Sequence, residues 1–98
     1  MYKGTFEKSR VLVVEDSSDL RDKLVQILRS SIHAFSVEAI PSSVGLTSRL
    51  VEGDIDVLVV DYDLAVGDVS MVIKITKQID PFLPIVLVSK DFSDHVAT

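Results

Sequence analysis

Residues 57–63 read VLVVDYD, and residues 11–16 read VLVVED. Each is an unbroken run of branched or aliphatic side chains that ends on two acids. A short run of this kind reads as a strand buried on both faces. A single acidic ending is what a turn or the start of the next helix produces. Two such endings in one short chain suggest a site, provided the strands lie side by side.

The rest of the sequence supports that arrangement. After the first run, Ser17 and Ser18 are natural helix caps and Asp19 suits a first turn. Leu20, Leu24, Ile27 and Leu28 then share one helical face, with Arg21, Asp22, Lys23 and Gln26 largely elsewhere. Residues 34–39 alternate: Phe35, Val37 and Ala39 point one way, Ser36 and Glu38 the other. That is a half-exposed edge strand. Ser42 or Ser43 is expected to cap a second helix carrying Val44, Leu50 and Val51, closing near Gly53. Beyond Asp68, read as a helix cap, a third helix presents Val69, Val72, Ile73, Ile75 and Ile79. Pro81 and Pro84 break it, and Ile85–Val88 forms a last apolar strand. The tail, DFSDHVAT, looks like the opening turns of another helix.

The order is βαβαβαβ, which implies a doubly wound α/β domain with a parallel sheet and right-handed crossovers. Ligands of such sheets sit at the carboxyl ends of the strands. Glu15 and Asp16, Asp61 and Asp63, and Ser89 with Lys90 all fall there, brought to one rim from three strands.

Composition narrows the chemistry. The chain has 98 residues, which suits one small domain. With no cysteine, disulfides, thiolate metal sites and a cysteine nucleophile are excluded. A net charge of −5 disfavours a broad nucleic-acid-binding face. No apolar run reaches the length of a membrane span, and MYKGTFEKSR lacks a signal-peptide core. A soluble, cytoplasmic protein with no direct nucleic-acid partner and no membrane partner is the expectation. Clustered carboxylates repel one another and call for a counter-charge. Oxygen ligands without histidine or cysteine suit Mg2+. A carboxylate beside such an ion can attack phosphorus. His33 and His95 lie away from the rim, in no catalytic role.

These residues resemble the receiver domain of bacterial two-component response regulators, a flavodoxin-like fold, from about Arg10 to Asp94. VLVVEDSSDLRDKLVQIL resembles its first strand, acidic pair and first helix. VDYDLAVGDV resembles the segment bearing the phosphoacceptor, and PIVLVS resembles the fourth strand. The resemblance implies that Asp61 is the phosphoacceptor and that Ser89 contacts the phosphoryl group. It implies that Glu15, Asp16, Asp61 and the backbone carbonyl of Asp63 form the Mg2+ site. The phosphoryl donor would be a sensor histidine kinase or a phosphotransfer protein. The domain would act as a switch rather than a turnover enzyme, with self-phosphorylation from small donors and autodephosphorylation as side reactions.

The chain departs from the family pattern in three places. LAVGDV replaces a loop that usually holds a proline and then Asp-Gly. Lys90 stands where a small residue is usual. A fourth helix, a fifth strand preceded by a phosphate-binding lysine, and a fifth helix have no counterpart. The expectation is therefore one receiver domain over residues 1–98, with four strands and without the C-terminal βα unit. Lys90 is a conceivable substitute for the lysine. The apolar fourth strand, left at the sheet edge, invites a homodimer. Two other readings compete. One is a pseudo-receiver that binds partners without phosphorylation. The other is a Toprim-like Mg2+-dependent nucleic-acid enzyme using Glu15, Asp61 and Asp63, although Asp16 stands where that family has glycine. Haloacid-dehalogenase-type phosphatases also end a strand on Asp-x-Asp, but their nucleophile follows the first strand, which leaves Glu15 and Asp16 unexplained.

Overall fold

A computed structural model describes residues 9–31, 36–64 and 68–89. The elements run β1 (Arg10–Val14), α1 (Ser18–Arg29), β2 (Ser36–Ile40), α2 (Leu46–Glu52), β3 (Val57–Asp61), α3 (Asp68–Ile79) and β4 (Ile85–Val88). The four strands form one parallel sheet in the order β2-β1-β3-β4. The predicted α/β architecture is borne out. No helix among the described residues is long and apolar enough to cross a membrane.

Two apolar layers flank the sheet because side chains alternate along each strand. Leu12, Val14, Leu58 and Val60 face one side, where Leu46 and Leu50 of α2 and Val72 of α3 cover them. Val11, Val13, Val37 and Val59 face the other, against Leu24, Val25 and Leu28 of α1. Ile27 is 64% exposed, so Val25, not Ile27, completes the inward face of α1.

Local chemistry sets the helix ends. Ser17 caps α1 with extended backbone, and its hydroxyl accepts the Leu20 N–H. Asp19 and Arg29 sit at the ends of α1 where the helix dipole favours their charges. The expected serine cap of α2 is not found. Gly45, at φ 85°, precedes Leu46 instead; glycine takes that left-handed conformation without steric cost. Ser43 is engaged elsewhere: its N–H and hydroxyl both donate to the Asp68 carboxylate. Asp68 is thus the first residue of α3 and a tie to the β2–α2 loop. Val44 and Val51, read as core, are exposed, and Leu46 is buried in their place.

At the opposite end of the sheet from the acids, Arg49 grips Glu38 through two bonds of 2.6 Å. It also donates to the Gly53 carbonyl at 2.9 Å, fastening the end of α2 to β2. β4 is less covered than its sequence suggests. It lies at the sheet edge among the described residues, and Val86 and Leu87, on opposite faces, are 46% and 45% exposed.

Candidate functional site

β1 and β3 pair directly, Val14 beside Val60. Their carboxyl ends therefore release Glu15 and Asp61 side by side. β4 pairs with β3 so that Asp61 lies beside Val88, which delivers Ser89 to the same rim. Glu15, Asp61 and Ser89 line a small cleft of about 100 Å³, closed by Leu20, Leu24 and Val88.

The acids converge within that rim. Glu15, Asp16 and Asp61 each offer an oxygen within 4.8 Å of the others. Glu15 and Asp61 are each only 2% exposed, although both are ionisable. Burial, opposed by the Ser17 N–H and reinforced by the Asp61 and Asp16 carboxyls, pushes the Glu15 carboxyl up to about 7. Two acceptor-only carboxylates this close need something between them, either a shared proton or a cation.

Each acid is anchored by the backbone around it. The Glu15 N–H donates to the Ile40 carbonyl at 3.0 Å. Its carboxylate accepts the Ser17 N–H at 3.0 Å, and its carbonyl accepts Nη1 of Arg21 at 2.9 Å. Oδ1 of Asp61 accepts the Asp63 N–H at 2.8 Å. Oδ2 of Asp61 is buried with no hydrogen-bond partner among the described residues. That orphaned oxygen, beside two further carboxylates and with no nitrogen or sulfur donor in the cluster, fits a hard divalent cation.

The structure thus gathers Glu15, Asp16 and Asp61, and brings Ser89 to their cleft. The Ser89 hydroxyl lies 3.2 Å from the Asp63 carboxylate, to which it donates. Asp63 is therefore at the rim, with its side chain turned to Ser89. Lys90, His33 and His95 lie outside the described residues. Arg21 was not legible as a site residue. Helical periodicity sets it apart from the apolar face but does not reveal that its long side chain folds back to the turn.

The solved structures with a similar fold include a sensor protein from Polaromonas sp. JS666, with a TM-score of 0.73 at 20% identity. They also include the beryllofluoride-activated NtrC receiver domain, with a TM-score of 0.69 at 22% identity. Each likeness covers 94% of this chain and 74% of the other. The chain has the receiver-domain fold. No family model and no curated protein matches its sequence. Within the receiver fold, the acidic cleft occupies the carboxyl-end crevice where the strand order reverses, with β1 leading to β2 on one side and β3 lying on the other.

Proposed function

We propose that this chain is a phosphorelay receiver whose Asp61 accepts a phosphoryl group. The observation that carries the reading is the Oδ2 of Asp61, buried with no partner among the described residues, in a cleft shared with Glu15 and within reach of the Asp16 carboxylate. The donor is a phosphohistidine of a sensor histidine kinase or a phosphotransfer protein. An Asp61 carboxylate oxygen forms the new P–O bond as the donor's P–N bond breaks and the histidine takes up a proton. Small phosphoryl donors serve the same attack, and water at the rim later hydrolyses the aspartyl-phosphate.

Glu15, Asp16, Asp61 and the Asp63 carbonyl are the groups that would hold Mg2+. When bound, the ion neutralises the carboxylates and the phosphoryl oxygens. The chain's own residues do the remainder. The Asp63 N–H fixes the orientation of the Asp61 carboxylate. Leu20, Leu24 and Val88 narrow the cleft against bulk water. Ser89, half-buried beside Asp61, turns its hydroxyl from Asp63 to a phosphoryl oxygen. The added charge then shifts the domain between two populations, the output of a switch. The setting is the cytoplasm, with protein partners rather than nucleic acid or membrane.

Intact mass spectrometry tests this directly. Incubation with acetyl phosphate and Mg2+ is expected to add one phosphoryl group. Asp61→Asn protein, or wild type with EDTA, is expected to add none. An adduct that persists in Asp61→Asn would place the acceptor elsewhere. No adduct in wild type, with Mg2+ still bound, would leave the pseudo-receiver reading.

A homodimer belongs to the same proposal. It rests on β4 lying at the edge of the sheet formed by the described residues, with Val86 and Leu87 half exposed there, since an apolar edge templates pairing. Light scattering is expected to give a mass that rises with concentration. A constant monomer mass at high concentration would overturn it.

A further inference from the structure

The first turn of α1 contains an arginine that does not do what a surface helical arginine usually does. Such a side chain commonly pairs with an acid three or four residues away. For Arg21 those positions hold Ser17, Ser18, Leu24 and Val25. Its guanidinium instead folds back and donates to the Glu15 carbonyl at 2.9 Å. That carbonyl belongs to the peptide linking Glu15 to Asp16.

The bond completes the fixing of the β1–α1 turn. The peptide before Glu15 is set by the sheet through Ile40, and the Glu15 carboxylate is held by the Ser17 N–H. Arg21 holds the one remaining polar group of Glu15. A peptide unit is planar, so pinning its oxygen orients the next Cα and aims the Asp16 side chain. The arginine is itself seated firmly, because its own N–H donates to the Ser17 carbonyl at 2.8 Å.

We propose that Arg21 is a positioning residue for the acidic triad. Its bond to the Glu15 carbonyl sets the turn so that Glu15 and Asp16 converge on Asp61. The proposal rests on the reading of that triad as an Mg2+ site. Arg29 provides an internal control. It lies on the same helix and makes the same kind of bond, to the Val37 carbonyl at 3.0 Å, but away from the rim.

The experiment is calorimetric titration of the full chain with MgCl2, with far-UV circular dichroism to check folding. Loss of a group that orients metal ligands typically weakens affinity about 10–100-fold. Arg21→Met is expected at the lower end of that range, and Arg21→Lys, which keeps a donor on a stem of similar reach, is expected to recover most of the loss. Arg29→Met is expected to bind Mg2+ like wild type, even where it unfolds at lower urea. If Arg21→Met does not fold, Arg21→Gln replaces it with the same expected weakening. Wild-type affinity in the Arg21 variant, or equal weakening in Arg29→Met, would overturn the positioning role and leave the Mg2+ reading intact. No Mg2+ binding by wild type would overturn both.

Discussion

Mg2+ affinity is expected to fall about tenfold between pH 8 and pH 6, as a proton on the acidic cluster competes with the ion. The Glu15 carboxyl sits at about 7 in the metal-free protein because it is buried and faces Asp61 and Asp16. Below that pH the cluster carries a proton that Mg2+ must displace. Above it Glu15 is ionised and the ion meets no proton there. The proton belongs to the cluster as a whole, so removing one acid changes the response of the others. In Asp61→Asn the main neighbouring charge is gone but burial still raises the Glu15 carboxyl, so the affinity is expected to be weaker and to fall less steeply with pH. Titration calorimetry at pH 6, 7 and 8 reads this. A wild-type affinity that is constant across the range would count against the shared proton.

The same group makes the metal-free fold pH-sensitive. An unfolded Glu15 titrates at its ordinary value of 4.5, below the folded value of about 7. A raised folded value means that the native state holds the proton more tightly. This stabilising contribution is full below pH 4.5 and is lost as pH rises through about 7. The stabilisation lost by pH 8 is on the order of 3 kcal/mol. Mg2+ is expected to restore it at pH 8 and to have little effect at pH 5, as urea unfolding with and without the ion would measure.

Leu12→Ala is expected to be the most damaging single truncation in the core. Leu12 is fully buried on β1, which pairs on both sides, with β2 and β3. It packs in the layer with Leu46, Leu58 and Val72. Deleting such a side chain removes its transfer energy and leaves a cavity, about 2–5 kcal/mol together. Total stability for ordinary domains is only about 5–15 kcal/mol, and a chain of 98 residues has a small core. The variant is expected to be partly unfolded at 37 °C. Phe82→Ala, at a side chain 90% exposed, is expected to shift the urea midpoint little. Equal shifts in the two variants would mean that Leu12 is not enclosed as described.

What the sequence made legible follows from how each element is enclosed. VLVVED and VLVVDYD could be read because β1 and β3 are covered on both faces, so every residue in them answers to the same environment. The gathering of Glu15, Asp16 and Asp61 at one rim followed from reading a parallel sheet, whose strands share a carboxyl end. The α2 start was misread because Ser43 makes its bonds to Asp68, a partner distant in sequence, and Gly45 turns the chain instead. Val86 and Leu87 stay partly exposed because burial depends on neighbours, which a residue's own hydropathy does not report. The place of Ser89 at the rim was legible, but the direction of its hydroxyl toward Asp63 depends on side-chain geometry.

The pairing of β1 with β3 has a consequence for assembly. The acidic cluster joins residues 15 and 16 to residue 61, and the loop between them must close before any oxygen of one half meets the other. Neither half can be organised by its own local helix. The central parallel pairing must form first, and such non-local contacts are the slow part of folding. A ligand that needs both halves binds only the finished sheet and shifts the folding equilibrium toward it by mass action. Occupancy of the cleft is therefore also a gauge of whether the chain has folded.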